Sequence, residues 1–338
     1  MANRDRSDAA EVAPVAKRVP FETIPLIDFG PFRRGAAADR VRVAREIGDA
    51  CRHVGFFYVA NHGVPQALID AVFGEARRFF ALPHAEKMRI EIGKSSNHRG
   101  YFPPGGENVD PERTIDVKEG FDMALELGPD DPDVRVGKPL HGPNQWPENL
   151  PGYRETLSAY YDTICGLGRL LCRAFAIDLD LPEDFFDDKV DKPLAQLRLL
   201  HYPPQSGPVS EREMGVGAHS DYGCVAMLYQ DDVGGLQLMN SASEWIAAPP
   251  IPGVYVCNIG DMMARWTNDR FAATLHRVVN VSGRDRYSAV VFFDPNFDVE
   301  VACLESCQSP DDPPRYAPTT SGAHLLRRFN DTFTYRKA

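Results

Sequence analysis

The 338-residue sequence lacks the features that would place it in a membrane, on nucleic acid or among disulfide-stabilised secreted proteins. No uninterrupted apolar run approaches the ~20 residues that span a bilayer. Lysine and arginine (37) are outnumbered by aspartate and glutamate (48), and no basic stripe occurs. A net charge of −11 argues against a nucleic-acid partner, because phosphate backbones require clustered cations. Seven cysteines are an odd number and none shows CxxC spacing, which predicts reduced thiols.

The first twenty residues also lack the apolar segment of a secretory signal. Their charged, alanine and proline residues predict a disordered tail over 1–20. We therefore expect a cytoplasmic protein with no membrane segment. No pattern in the sequence reports the oligomeric state, so a monomer is the default expectation.

Apolar periodicity predicts a mainly helical region over residues 21–180. Apolar residues at helical spacing predict helices over 38–53, 65–80 and 151–177. Aromatic and β-branched runs predict strands over 24–29, 55–63 and 117–127. Between them, 92–116 is rich in Gly, Pro, Asn and Ser and is predicted as a loop, and 128–150 as proline-rich surface chain.

Short β-rich runs separated by turn residues dominate after Pro182, over 194–202, 223–230, 235–239, 253–259 and 286–293. Strands at this spacing predict an all-β sandwich or barrel over 181–335, with a last helix near 320–332. The expected fold class is therefore α+β, with the helical region and the β-barrel in one globule.

A possible metal site begins at His219-Ser220-Asp221 in the segment GVGAHSDYG. Residues i and i+2 of an extended segment project from the same face, so both side chains can reach one ion. His276 precedes a β-branched run, and we expect a second strand to carry it across the barrel. Two imidazoles and one carboxylate suit Fe(II) and leave coordination positions open. HxD also occurs by chance, and His84-Ala85-Glu86 is interpreted as a charge pattern at a helix start.

Arg286 and Ser288 lie ten and twelve residues beyond His276, at the head of RYSAVVFF. They share one face of the predicted strand. A guanidinium fork and a hydroxyl together suit a carboxylate ligand. The alternative is that Arg286 is a surface charge at the end of a strand.

Many segments, in order over residues 23–335, resemble one family. They include IPLIDF, GFFYVANHGVP, RFFALPHAEK and RGYFPPGGE, then LLHYPP, GAHSDYG, DDVGGLQL, LHRV and RYSAVVFFDPN. The chain resembles the isopenicillin N synthase-like branch of the 2-oxoglutarate/Fe(II)-dependent oxygenases. This resemblance implies a double-stranded β-helix, or jelly roll, as the core of the C-terminal region.

The resemblance also assigns roles to residues. It implies iron ligation by His219, Asp221 and His276, and contacts to 2-oxoglutarate from Arg286, Ser288 and Tyr202. One position departs from the pattern: Leu200 stands where many members have asparagine, so one polar contact near the co-substrate is in doubt.

The implied activity is oxidation, by default hydroxylation, of a small molecule with Fe(II), 2-oxoglutarate and O2, releasing succinate and CO2. Alternatives are an oxidase of the same fold that does not use 2-oxoglutarate, an ethylene-forming activity, or a catalytically inactive jelly-roll binding protein. A zinc hydrolase is disfavoured because no positioned Glu base accompanies the motif.

Residues that would contact the substrate are predicted from weaker signals. Arg198 is similar to an arginine that ethylene-forming enzymes place beside iron and substrate, and an exterior strand charge is an equal alternative. Tyr101, Phe121 and Phe293 would give an aromatic pocket, or they are ordinary core residues. The sequence does not identify the substrate.

Overall fold

A computed structural model describes residues 23–109, 115–204 and 213–337 of the chain. The predicted tail over 1–20 lies outside these residues. In the described ranges the α-helices are α1 (Gly30–Arg34), α2 (Ala37–His53), α3 (Gln66–Phe80), α4 (His84–Lys87), α5 (Pro132–Arg135), α6 (Tyr153–Asp178), α7 (Asp261–Trp266) and α8 (Ser321–Thr332).

The strands alternate with these helices in the first half and dominate the second. They are β1 (Leu26–Asp28), β2 (Phe56–Ala60), β3 (Gly100–Phe102), β4 (Ile115–Asp116), β5 (Glu119–Ala124), β6 (Gln196–Tyr202), β7 (Glu213–Met214), β8 (Val216–His219), β9 (Val225–Gln230), β10 (Leu236–Met239), β11 (Trp245–Ala247), β12 (Tyr255–Ile259), β13 (His276–Val278), β14 (Arg286–Phe293), β15 (Glu300–Val301) and β16 (Thr319–Thr320).

Two sheets form the jelly-roll core. The large sheet has eight strands in the order β1-β2-β12-β9-β14-β6-β5-β3, and the small sheet has four in the order β11-β10-β13-β8. All neighbouring pairs in the small sheet are antiparallel, as are those of the large sheet apart from β1 and β2. The predicted α+β jelly roll is therefore confirmed. Strands from the first half complete the large sheet, so both halves share one sheet.

Helices α3 and α6 cover the outer face of the large sheet, with α2 packed on α6. The Tyr160 and Tyr255 hydroxyls join α6 to β12 at 2.9 Å, and the Tyr161 hydroxyl donates to the carbonyl of Ala195 at 3.0 Å. The ring of Phe293 on β14 packs closely on Gly168 of α6: a Cβ at Gly168 would lie only 2.6 Å from the nearest ring atom. This layer of helices keeps solvent from one face of the sheet and leaves the opposite face to form the interior between the two sheets.

Most predicted elements agree with the structure to within about three residues at each end. The elements that were not predicted are all short: α1, α5, α7, β3, β4, β7, β11, β15 and β16. The predicted loop over 92–116 therefore contains the edge strand β3, where Tyr101 pairs with Phe121 of β5. In the described part of the chain, no helix is both long enough and apolar enough to cross a membrane. The division of the chain into a mainly helical region over 21–180 and a jelly-roll region over 181–335 stays a prediction.

Candidate metal centre and adjoining cavity

The three candidate metal ligands come from two neighbouring strands of the small sheet and the turn after one of them. His219 ends β8, Asp221 lies two residues beyond, and His276 begins β13. His276 pairs directly with His219 in the antiparallel register of β13 and β8. The expectation that a strand carries His276 across the barrel was wrong, because the two histidines lie side by side in one sheet.

The side chains of these residues converge on one point. One ligand atom from each lies within 4.8 Å of the others. The Nε2 atoms of His219 and His276 are each 3.6 Å from Oδ1 of Asp221. Among the described residues, this is the only group of three or more His, Cys, Asp or Glu side chains close enough to share a metal ion.

Hydrogen bonds orient all three groups. Nδ1 of His219 donates to the carbonyl of Gly217 at 2.8 Å, and Nδ1 of His276 donates to the carbonyl of Thr274 at 3.2 Å. The lone pair of each Nε2 is therefore directed at the common point. Asn258 of β12 donates to Oδ2 of Asp221 at 2.6 Å, which leaves Oδ1 to face the imidazoles.

The local electrostatics hold Asp221 and His276 in the forms that bind metal. Burial opposes ionisation of the Asp221 carboxyl, but the His276 and His219 rings and the Asn258 hydrogen bond keep its pKa well below the ordinary value. Burial, reinforced by the nearby His219 ring, lowers the pKa of His276 to about 4. A carboxylate and a neutral imidazole bind a cation without first losing a proton.

Arg286 lies on the inner face of the large sheet and is fully buried. Its guanidinium donates to the carbonyl of Gly234 and, at 2.9 Å, to Oε1 of Gln230, while one Nη lies 3.5 Å from Oγ of Ser288. Within the described residues it has no carboxylate at ion-pair distance. A buried cation without a counter-ion is costly, so this position is suited to a bound anion.

Tyr202 and Leu200 face Arg286 and Ser288 from the neighbouring strand β6. The register pairs Arg286 with Tyr202 and Ser288 with Leu200. The Arg286 guanidinium lies 4.6 Å from the centroid of the Tyr202 ring. Leu200 contributes apolar surface beside Ser288.

A cavity of about 900 Å³, including its mouth, connects the candidate ligands with Arg286. It lies between the two sheets, and α8 closes one side with Leu325 and Phe329. Its lining comprises Phe56, Glu107, Val109, Lys118, Gln196, Arg198, Leu200, Tyr202, Val216, His219, Asp221, Tyr222, Gly223, Leu228, Leu236, Asn258, His276, Val278, Arg286, Ser288, Val290, Phe292, Asp294, Leu325 and Phe329.

Arg198 lines this cavity, but its charge is already neutralised. It forms a bidentate pair with Asp122, both contacts at 2.8 Å, and a further Nη binds Glu107 at 2.8 and 2.9 Å. Lys118 pairs with Glu107 at 3.1 Å and with Asp116 at 2.8 Å. Arg198 is therefore buried in an ion network, and the predicted exterior strand charge was wrong.

Tyr101, Phe121 and Phe293 lie on the opposite face of the large sheet from the cavity. Phe121 is 5.1 Å from the Phe79 ring of α3, and Tyr101 is 6.0 Å from the same ring. Phe293 packs on α6, as described above. Successive residues of a strand face opposite sides of the sheet, so the neighbouring residues Asp122 and Phe292 face the interior instead. The expectation that these three aromatic residues line a substrate pocket is thus corrected: they are core residues.

Comparisons with known proteins agree with this geometry. The 2-oxoglutarate-Fe(II) type oxidoreductase hxnY of Emericella nidulans is 38% identical over 301 residues, covering 88% of this chain and 86% of the relative. The profile of the 2OG-Fe(II) oxygenase superfamily matches residues 193–295, and that of the non-haem dioxygenase in morphine synthesis N-terminal region matches 24–149. The chain belongs to the 2OG-Fe(II) oxygenase superfamily.

Solved relatives of this oxygenase contain the co-substrate. A full-length Neurospora crassa protein in complex with alpha-KG (2-oxoglutarate) superposes with a TM-score of 0.82 at 30% identity, covering 91% of this chain and 96% of that one. The same Neurospora protein with alpha-KG and thymine has a TM-score of 0.82, 29% identity, and 93% and 99% coverage. JOX2 in complex with 2OG, Fe and JA has a TM-score of 0.74, 27% identity, and 94% and 90% coverage. The cofactors of the family are Fe(II), 2-oxoglutarate and O2.

Sequence reasoning missed several polar residues of the oxygenase interior. Asn258 orients Asp221, Gln230 holds Arg286, and Gln196 and Asp294 line the cavity. All four are polar residues in or directly after otherwise apolar strands. In the strand QLRLLHY, the inward-facing Gln196 and Arg198 alternate with leucines. A search for polar residues at every second position of an apolar strand would therefore have found Gln196.

Proposed function

We propose that this oxygenase couples decarboxylation of 2-oxoglutarate to the hydroxylation of a small organic molecule. The observation that carries the proposal is one interior cavity that contains both the two-histidine, one-carboxylate cluster and a buried arginine, Arg286. Among the described residues, no carboxylate lies at ion-pair distance from this arginine. The first feature suits Fe(II), and the second suits the far carboxylate of a dicarboxylic keto acid.

His219, Asp221 and His276 would hold the iron. Their donor set of two neutral nitrogens and one anionic oxygen fits Fe(II), and the three ligand atoms are close enough to reach one ion. Iron bound with 2-oxoglutarate supplies the activation of O2 and the oxidation of a C–H bond, which no side chain can perform. Asn258 would keep the Asp221 carboxylate oriented toward the metal through its hydrogen bond to Oδ2.

Arg286, Ser288 and Tyr202 would bind the distal carboxylate of 2-oxoglutarate. Gln230 and the Gly234 carbonyl already fix two of the guanidinium nitrogens, which leaves the third, 3.5 Å from the Ser288 hydroxyl, to bind the carboxylate together with that hydroxyl. This fixation reduces the conformational entropy that is lost on binding. The apolar side chains of Leu200 and Val290 border this location and exclude water from it.

The proposal is tested by anaerobic iron titration and by succinate release with His219→Ala and its matched control His84→Ala. His84 belongs to the HAE sequence with the same histidine–acid spacing, but it is exposed at the start of α4. We expect His219→Ala to lose stoichiometric iron binding and 2-oxoglutarate turnover, and His84→Ala to keep both.

Equal iron binding by the two variants would contradict the ligand assignment. Oxygen uptake by the wild type that does not require 2-oxoglutarate would contradict the co-substrate assignment. The comparisons do not favour the alternatives of a 2-oxoglutarate-independent oxidase or an ethylene-forming enzyme. The relatives instead include 2-oxoglutarate-Fe(II) type oxidoreductases and a homoarginine-6-hydroxylase of Glycine max.

A further inference from the structure

A smaller cavity of about 290 Å³ adjoins the main one on the side away from Arg286. Gln196, Asp294, Leu325 and Phe329 line both cavities, so they form the boundary between them. Gln196 begins β6 and Asp294 follows β14, two neighbouring strands of the large sheet. Each has less than a tenth of its surface exposed.

Three buried nitrogen atoms at this side cavity have no hydrogen-bond partner among the described residues. One of them, Nε2 of His98, donates or accepts according to the tautomer of the ring, and the other two are donors. The first donor is Nε2 of Gln196. The second is Nε of Arg99, whose Nη atoms donate to the carbonyls of Asn97, His98 and Leu140 at 2.8 to 3.0 Å. Buried donors without acceptors are uncommon in native proteins because each costs roughly 1–3 kcal/mol.

Asp294 provides an acceptor at the same boundary. Its Oδ1 accepts from the backbone N–H of Cys224 at 2.6 Å. No lysine, arginine or histidine of the described chain lies at ion-pair distance from this carboxyl. Burial, with a smaller contribution from the charge of Asp221, raises its pKa to about 7 against the opposing effect of the Cys224 hydrogen bond. The side cavity and its boundary therefore combine two donors, on Arg99 and Gln196, with one acceptor, Asp294. Among the described residues, each of the three side chains lacks a partner for part of its hydrogen-bonding capacity.

The main cavity wall gives a second constraint on charge. The network around Arg198 contains two cations, Arg198 and Lys118, and three carboxylates, those of Glu107, Asp116 and Asp122. Both cations are already paired within the network. Apart from Arg286, which we assign to the co-substrate, no cation among the described residues that line the main cavity lacks a carboxylate partner. Arg99, in the side cavity, has no carboxylate partner, but both of its Nη atoms donate to carbonyls, so it offers a single Nε–H and not the two-pronged fork that binds a carboxylate.

We propose that the substrate is a neutral nitrogen compound with adjacent N–H and C=O groups, such as an amide, lactam or cyclic imide. Its N–H donates to Asp294, and its carbonyl accepts from Gln196 and Arg99. This inference rests on the proposed function, because it assumes that a substrate enters the same cavity to reach the iron. Asp294 lies against the backbone just after Asp221, so a group held there is close to the metal centre.

Binding to the anaerobic enzyme, with and without 2-oxoglutarate, is measured by calorimetry on matched probes. Two pairs of probes differ only in whether the N–H groups are methylated: uracil and 1,3-dimethyluracil, and 2-piperidone and N-methyl-2-piperidone. Agmatine, a cation, and phenylacetate, a carboxylate, are the charged controls. We expect each N–H compound to bind at least tenfold more tightly than its methylated partner, since methylation leaves the Asp294 acceptor unsatisfied.

Variants test the residues themselves. We expect Asp294→Asn and Gln196→Leu each to weaken the N–H probes at least fivefold and to leave affinities for iron and 2-oxoglutarate within twofold. In Asp294→Asn the amide oxygen can still accept from Cys224, which turns the amide nitrogen toward the probe. The control Asp298→Asn makes the same chemical change at a side chain that is 73% exposed and pairs with Lys138 on the surface.

Several results would overturn the subsite. They are equal binding of the methylated and parent probes, tighter binding of agmatine or phenylacetate, no effect of Asp294→Asn, or no binding of any N–H probe. If the wild type distinguished the N–H probes from their methylated partners but did not bind 2-oxoglutarate, the proposed function would be contradicted and the subsite would not.

Discussion

Arg198 and Arg286 are buried arginines on neighbouring strands, yet their surroundings give them different capacities. Arg198 makes four charge-assisted contacts with Asp122 and Glu107, so it supports the cavity wall. Arg286 is held only by neutral groups of Gln230, Gly234 and Ser288. The number of carboxylates within reach of each guanidinium, and not the arginine itself, distinguishes a structural role from an anion-binding role.

Arg286→Gln should raise the KM for 2-oxoglutarate by about 30-fold or more. The loss of a buried, hydrogen-bonded charge pair costs on the order of 2–5 kcal/mol. Iron affinity should change little, because the metal ligands lie on the other sheet. Steady-state succinate release at varied 2-oxoglutarate measures the effect.

The matched control is Arg284→Gln, two residues earlier, where a side chain that is 58% exposed pairs with Asp232 on the surface. Its KM for 2-oxoglutarate should equal that of the wild type. A similar rise in both variants would show that the effect does not come from contact with the co-substrate.

At the scale of elements, glycine has opposite consequences in two helices. In α2, a Cβ on Gly48 would lie 1.9 Å from the carboxyl carbon of Asp178, which ends α6 and pairs with Arg45 and Arg52. In α3, a Cβ on Gly74 would meet no atom within 4 Å. The first glycine is therefore required for the contact between two helices, while the second leaves space for a side chain.

Gly48→Ala should lower the free energy of unfolding by about 1–3 kcal/mol, because the new methyl group displaces a buried, paired carboxylate. Gly74→Ala should raise it by about 0.5–1 kcal/mol, the usual gain for alanine in a helix. Urea unfolding of both variants gives the two signs. Stabilisation by Gly48→Ala would show that α2 and α6 pack less closely than the structure indicates.

At the scale of the whole molecule, both halves of the chain contribute to one sheet and are joined by polar contacts along it. His201 of β6 lies between Glu119 of β5 and Asp285, which precedes β14, with 2.7 Å to each carboxylate. Burial disfavours the charged imidazole, but the two hydrogen bonds outweigh it and raise the pKa of His201 above its ordinary value. In its protonated form, His201 therefore links three adjacent strands.

This contact predicts how stability depends on pH. Because the folded-state pKa is raised, its contribution is fully present below the unfolded value of about 6.5 and is lost as pH rises through the folded value. The stability difference between wild type and His201→Asn should shrink over that window. Urea midpoints measured from about pH 5.5 to 9 check this expectation, and a difference that grows with pH would contradict it.

Local patterns in the sequence determined most of the elements and the candidate ligands. Periodicity is a property of neighbouring residues, so it placed α2, α3, α6 and β14 correctly. The spacing of His219 and Asp221 likewise requires only that the chain between them is extended. Short elements such as α7 carry too few residues for a periodic signal, and their stability comes from tertiary packing.

The tertiary structure decided everything that depends on contacts between distant segments. Arg198 meets Asp122 and Glu107 across 76 and 91 residues, and no local pattern reveals that its charge is neutralised. Alternation along a strand shows which residues share a face, but it does not show which face lies toward the interior. Packing of the large sheet against α3 and α6 decides this, and it places Tyr101, Phe121 and Phe293 on the helix side. The sequence by itself thus determined the candidate ligands and the family of the enzyme. The fold determined which side chains surround the substrate, because burial and pairing arise only when strands and helices come together.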